Sequence, residues 1–91
     1  MILVKEAKYY KDYQIWIKFN DGKEGIINLR DLVFNDKRNI FKQLKNLKLF
    51  KEFKVDMDTI VWSNGADLAP EYLYENIEET KTELIKSSSI Q

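Results

Sequence analysis

The chain contains neither histidine nor cysteine, so any catalytic chemistry would have to run on carboxylate, amine or hydroxyl groups. Burial can tune such groups for proton transfer, but it needs a deep pocket, for which a domain of 91 residues has little room. The lack of cysteine also excludes a disulfide framework and a thiolate zinc site. We therefore expect a protein that is not an enzyme and that carries no cofactor.

The most specific spacing in the chain lies between residues 59 and 74. There Trp62 stands close to Asn64 and Asp67, and an aromatic side chain beside polar groups is a common arrangement in ligand pockets. Tyr72 follows on the next predicted element and adds a second aromatic ring. These four residues are candidates for an interaction surface.

The same segment also has a structural interpretation, which we favour. Trp62 alternates with Ile60 and fits a core position, and Asn64-Gly65 supplies the backbone conformations of a tight turn. Pro70 is suited to the first turn of a helix, and Asp67 is expected to accept hydrogen bonds from the free N–H groups there. This interpretation predicts a strand, a turn and then directly a helix.

Two carboxylates, Asp56 and Asp58, lie two residues apart and would share one face of a strand, which suits a divalent cation. The twelve-residue calcium loop is nevertheless absent. Ile60 occupies its third ligand position, and no glycine stands at its sixth. We expect a solvated turn here and no metal site.

Lysines recur every three residues between 42 and 54, and such a row would suit a phosphate backbone, with Tyr9, Tyr10 or Trp16 stacking on bases. The solvated face of an amphipathic helix produces the same spacing. Fifteen basic and fifteen acidic residues also give zero net charge, which removes any global attraction to nucleic acid. The candidate contacts of this alternative hypothesis are Lys42, Lys45 and Lys48.

The elements that position these residues begin with a β-hairpin around Asn20-Asp21-Gly22. A three-residue loop with Gly22 in the left-handed conformation pairs Ile15 with Ile27 and keeps the apolar side chains on one face. A two-residue loop would divide them between both faces. The preferred register leaves Trp16 opposite Ile26 on the second face, which is too much apolar area to leave in water.

The remaining pattern predicts a middle amphipathic helix, a short turn capped by Asn46, a second pair of strands, and a C-terminal helix that frays after residue 79. The predicted fold class is α+β: a small antiparallel or mixed sheet built from an N-terminal three-strand meander and a second strand pair, with the two helices. We expect one domain over residues 1–86, followed by a disordered polar tail over 87–91.

Residues 2–76 resemble a small bacterial family known as domain of unknown function 2442. The resemblance is carried by Phe19-Asn20-Asp21-Gly22, by Phe53-Lys54-Val55-Asp56 and above all by residues 59–74, where Trp, Asn-Gly, Asp and Pro recur at matching separations. It implies a hairpin-rich antiparallel sheet with one helix between strands and another at the end. It implies no activity and no catalytic residue, and only an association with small neighbouring proteins.

The sequence thus predicts a non-enzymatic protein-interaction module that meets another protein, or a second copy of itself, through an uncovered sheet edge or the Trp16 and Ile26 face. A companion or antitoxin-like partner of a small neighbouring protein is one form that the resemblance implies. The alternative is a nucleic-acid-binding accessory domain that uses the basic helix over 37–54. Without an apolar leader or a membrane-spanning run, we expect a cytoplasmic location and no membrane contact.

Overall fold

The fold consists of two antiparallel sheets and four short helices, which the computed structural model describes over residues 1–79. The first sheet has the order β1-β2-β3-β7 and the second the order β4-β5-β6. The strands are β1 (Val4–Lys11), β2 (Gln14–Phe19), β3 (Glu24–Asn28), β4 (Lys54–Asp56), β5 (Thr59–Val61), β6 (Asp67–Leu68) and β7 (Glu78–Glu79). The helices are α1 (Arg30–Asn35), α2 (Asn39–Lys42), α3 (Leu47–Phe50) and α4 (Pro70–Asn76). The predicted α+β class is confirmed, and the predicted tail lies outside the described residues.

The hairpin between β2 and β3 has the predicted register. Ile15 pairs with Ile27 and Trp16 with Ile26, and Gly22 has a φ of +95° in a three-residue loop. Ile15 and Ile27 are buried on the inner face of the sheet. Apolar alternation and the glycine together fixed this register, because a slip of one residue would have turned every inner side chain outward.

The hairpin of β5 and β6 turns in the same way. The N–H of Trp62 donates to the carbonyl of Ala66 at 2.8 Å, and in the first hairpin the N–H of Phe19 donates to the carbonyl of Lys23 at the same distance. Gly65, like Gly22, has a φ of +95°. The Asn64 side chain accepts from the N–H of Ala66 at 3.0 Å. The turn prediction at Asn64-Gly65 is therefore confirmed, but a third strand follows it where the sequence predicted a helix.

The middle helix is broken into α2, a single 3-10 turn over Gln43–Lys45, and α3. Asn46 causes the break, since its backbone is extended and its side chain accepts hydrogen bonds from the N–H groups of Lys48 and Leu49. The predicted cap and the short turn that it begins are confirmed, whereas the single basic helix over 37–54 of the alternative hypothesis is wrong. The apolar residues of this stretch still reach the core through Phe41, Leu44 and Phe50.

The C-terminal helix α4 ends at Asn76, earlier than the sequence predicted. The chain then becomes extended, and Glu78 pairs with Ile26 in β7 at the edge of the first sheet. A two-residue strand has too little alternation to be recognised in a sequence. Its pairing places α4 beside the outer face of β3.

The core is one apolar cluster drawn from both sheets and the helices, without a buried polar or charged residue among residues 1–79. Its aromatic centre is Phe50, which contacts Tyr9 and Tyr13 edge to face and lies 5.9 Å from the Trp62 ring. Trp62 is 3% exposed, and its indole N–H donates to the carbonyl of Phe50 at 2.8 Å. The inner face of the first sheet is thus fully used by packing.

Candidate interaction surface

The outer face of the first sheet carries the apolar pair that the register predicted. Trp16 and Ile26 are half-buried, because each is flanked by polar neighbours on adjacent strands. The Trp16 indole N–H donates to the Glu24 carboxylate at 3.1 Å, and the Lys8 ammonium lies 5.9 Å from the ring centre. Trp16 is therefore held in place by its own sheet, and Ile26 continues the apolar surface toward β7.

A cavity of about 260 Å³ lies next to Ile26 on this face. Its floor comes from β2 and β3 of the sheet, and its wall comes from α4 and β7. Tyr72, at the wall, is 40% exposed. The lining residues are Gln14, Ile26, Asn28, Tyr72, Asn76 and Glu78.

Hydrogen bonds within the protein fix two of the three amide side chains in this cavity. The Asn28 carbonyl oxygen accepts from the backbone N–H of Arg30 at 2.9 Å. The Asn76 amide nitrogen donates to the carbonyl of Tyr72 at 2.7 Å. Within residues 1–79 the amide nitrogen of Asn28 and the amide oxygen of Asn76 have no other partner, and Glu78 is the one formally charged lining residue of this range.

The candidates Trp62, Asn64 and Asp67 do not join this surface. Trp62 belongs to the core, and Asn64 is a structural link that donates to the Ile40 carbonyl at 3.0 Å and to the Gln43 side chain at 2.8 Å. Asp67 lies in β6, where it pairs with Val61 of β5. No side chain caps the N-terminus of α4. The prediction that Asp67 caps the helix is therefore wrong, because the chain forms a strand before Ala69 begins the helix.

The three candidate lysines are exposed but do not share one helix. Lys42 lies in α2, Lys45 in the 3-10 turn and Lys48 in α3, so the break at Asn46 divides the row. Lys45 alone of the three contacts an aromatic ring in the described part of the chain, that of Phe34 at 5.4 Å. The continuous basic helix of the alternative hypothesis does not form.

A different basic cluster surrounds the aromatic rings at the end of the first sheet. Phe34, which is exposed, lies 4.8 Å from the Arg30 guanidinium as well as near Lys45. Tyr13 packs edge to face on Phe34 and donates its hydroxyl to the Lys45 carbonyl at 2.5 Å. The Lys51 ammonium lies 5.1 Å from the Tyr9 ring. We call these six residues the aromatic–basic cluster.

Two carboxyl groups with shifted pKa values lie in turns outside the cavity. Hydrogen bonds from the Arg38 side chain lower the pKa of Asp36 to about 2. A hydrogen bond from the Tyr74 hydroxyl, 2.7 Å long, lowers the pKa of Asp21. Both groups stabilise turns, and neither is placed to transfer a proton to a ligand in the cavity.

Two other features are absent from residues 1–79. Among these residues no group of three or more acidic, histidine or cysteine side chains is arranged to hold a metal ion. None of their helices is long and apolar enough to cross a membrane.

The sequence predicted the apolar residues of this face but not the polar residues that line the cavity. Gln14 and Asn28 pair across β2 and β3 on the same face as Trp16 and Ile26, so the predicted register already contained them. Asn76 and Glu78 carried no such signal, because their position depends on the end of α4 and on the pairing of β7.

Comparison with known proteins places the chain in a family. The model of the family described as "protein of unknown function (DUF2442)" matches residues 4–79. No curated protein and no solved structure matches the chain. Of the structure described for residues 1–79, the matched region contains both sheets, the four helices and the residues that line the cavity. The chain belongs to this family of proteins of unknown function.

Proposed function

We propose that this chain is a non-enzymatic protein-interaction module of the bacterial cytoplasm, and that it binds a partner through the outer face of its first sheet. The partner is another protein or a second copy of the chain. A companion or antitoxin-like role beside a small neighbouring protein is a specific form of this proposal, and it rests on the family resemblance alone. The face is defined by Trp16, Ile26 and Tyr72 together with the cavity beside them.

The observation that carries the proposal is the convergence of β2, β3, α4 and β7 on one concave surface. The face combines the large side chains of Trp16, Ile26 and Tyr72 with the amide and carboxylate groups of the cavity. Protein interfaces have a similar composition, with centres enriched in Tyr, Trp and other large side chains. Trp16 and Tyr72 are aromatic residues of this kind on the outer surface, away from the core cluster. A face with this composition gains free energy when a partner removes it from water.

Matched charge substitutions test this proposal. Tyr72→Lys places an ammonium group on the face, whereas Val55→Lys places one on β4, at a residue of nearly equal exposure, 40% against 38%. The mass of each protein in solution reports self-association, and affinity capture from cells of the source organism, compared between variants, reports a second protein. We expect Tyr72→Lys, and likewise Trp16→Lys, to lose the complex that the wild type and Val55→Lys retain. A wild-type monomer with no protein selectively lost by the face variants rejects the proposal.

The aromatic–basic cluster supports a second candidate function, the binding of single-stranded nucleic acid. Its rings and cations come from β1, the turn before β2, α1, the 3-10 turn and the residue after α3, and the rings of Tyr9 and Tyr13 both contact Phe50. Stacking rings interleaved with cations are the elements with which proteins bind single strands without sequence preference. This set replaces the lysine row that the sequence indicated, with Lys45 common to both.

Titration of labelled single-stranded DNA and RNA at several salt concentrations tests the second candidate. Binding through phosphates weakens steeply with salt, and we expect the logarithmic slope to fall by about 0.7 when one contacting cation is removed. Lys45→Gln should show this change, and Lys42→Gln, outside the cluster, should not. Absent binding, or binding that salt leaves unchanged, rejects this function.

A further inference from the structure

The size of the cavity beside Ile26 limits what it can hold. At about 260 Å³ it falls below the roughly 300–1,000 Å³ of sites that enclose small-molecule ligands. Tyr72 and Glu78 of its lining are exposed, so an occupant can project into it from a larger molecule. These dimensions fit one long side chain of a partner protein better than a free metabolite.

The polar groups of the cavity favour an occupant that donates hydrogen bonds. The ionised Glu78 carboxylate can only accept hydrogen bonds. The Asn76 amide nitrogen already donates to Tyr72, so its oxygen is the atom that can bind an occupant. The Gln14 side chain has no hydrogen-bond partner within residues 1–79 and offers both an acceptor oxygen and a donor nitrogen, and the Asn28 nitrogen is a further donor. The negative charge of Glu78 therefore decides in favour of a cationic donor. Among residues 1–79 the lining contains no lysine or arginine, so a carboxylate or phosphate would meet Glu78 without a compensating charge from this part of the chain.

The apolar groups of the cavity indicate which cationic side chain of a partner fits it. Ile26 offers a surface for a methylene stem, and Tyr72 offers an exposed ring on which a planar cation stacks. A guanidinium group has five donors in a fixed plane and binds carboxylates in a bidentate manner, whereas an ammonium group is a compact, strongly hydrated charge. We infer that the cavity receives an arginine side chain of the partner, an inference that rests on the proposed function of this face.

Chemical-shift titration of the full chain with Nα-acetyl-arginine amide tests this inference. We expect saturable shifts at the Ile26 backbone amide and the Asn76 side-chain amide, with a Kd of about 1 mM for a probe of this size. The citrulline analogue has nearly the same shape and no charge, and it should bind about tenfold more weakly. The lysine analogue should also bind more weakly than the arginine probe. Equal responses to the charged and neutral probes, or no saturable shift at these residues, overturn the inference.

Two carboxylates of the C-terminal region supply the matched variants. Glu78→Gln keeps the backbone pairing of β7 with Ile26 and should weaken the arginine probe about tenfold. Glu71→Gln removes a carboxylate of the first turn of α4 that does not line the cavity, and it should leave the affinity unchanged. Unchanged affinity in Glu78→Gln contradicts the inference.

The two proposals fail in different ways. If Tyr72→Lys abolishes the complex but the arginine probe does not bind, the face is an interface and the inferred occupant is wrong. If the probe binds but Tyr72→Lys removes no partner, the cavity recognises guanidinium groups and the proposed function of the face is wrong.

Discussion

The indole N–H of Trp62 donates to the backbone carbonyl of Phe50 inside the core, 2.8 Å away. The bond joins the second sheet to the end of α3, and it satisfies a carbonyl that packing has removed from water. It explains why a tryptophan, rather than a smaller aromatic residue, follows β5. A polar atom of Trp62 is used for structure, so this residue is not available to a ligand.

Replacement of Trp62 by phenylalanine should lower the free energy of unfolding by about 2–4 kcal/mol. The variant leaves the Phe50 carbonyl without its donor and opens space beside the Phe50 ring. Urea denaturation followed by circular dichroism measures the change. Trp16→Phe is the control, and it should cost less than about 1 kcal/mol because Trp16 is half-buried and its acceptor Glu24 can turn to water. Equal losses in the two variants would contradict the assigned roles.

Alanine at either turn glycine should destabilise the protein by about 1–2 kcal/mol. Gly22 and Gly65 both have a φ of +95°, and a Cβ would meet nothing within 4 Å at Gly22 and only the Ile40 Cδ1 at 3.7 Å at Gly65. The backbone conformation therefore sets both costs, and thermal unfolding should give similar values. Asparagine at the same positions should cost less, since it adopts positive φ more readily. A loss much larger for Gly65→Ala than for Gly22→Ala would show that contact with Ile40 matters.

Acid should remove a stabilising contribution from Asp36. Its pKa is lowered in the folded protein from 3.8 to about 2, so the folded state favours the ionised carboxylate. The contribution is complete above about pH 5 and is lost as the pH falls through about 2. The difference in unfolding free energy between the wild type and Asp36→Asn, measured across this interval, should therefore shrink with acidification. A difference that stays constant with pH would refute the pairing with Arg38.

Removal of the Tyr74 hydroxyl should raise the pKa of Asp21 toward its ordinary value. The hydroxyl donates to this carboxylate at 2.7 Å and is the main cause of its lowered pKa, ahead of the N–H of Lys23. Titration of the Asp21 carboxyl by nuclear magnetic resonance in Tyr74→Phe measures the change. In Tyr72→Phe, which removes the hydroxyl of a neighbouring residue on the same helix, the pKa should not move.

The parts of the fold that the sequence predicted are those with a strong local cause. Apolar alternation and Gly22 determined the pairing of Ile15 with Ile27, and the Asn46 side chain ended one helical turn and began another. Strands of two residues have no measurable period, so β6 and β7 were missed. Without β6, Asp67 was wrongly assigned as a helix cap.

In the candidate site, too, the sequence could place only the residues whose position has a local cause. Trp16 and Ile26 could be placed from the register alone, and Tyr72 from its position on the C-terminal helix, although the sequence did not indicate that they lie on one surface. Glu78 could not be placed, since its position in the cavity follows from long-range pairing with Ile26. Polar residues that meet only in the folded chain leave no pattern in the sequence.

The longest outer strand, β1, has a consequence for the way a partner can bind. Its ladder with β2 is irregular at Val4/Glu6 and again at Tyr9/Lys11, and the N–H of Val4 is already used by the carbonyl of Asp58. Irregular, lysine-bearing margins are poor templates for a foreign strand. The protein is therefore protected against growing into fibrils along this side, and we expect the proposed partner to meet side chains of the outer face rather than to add a strand at β1.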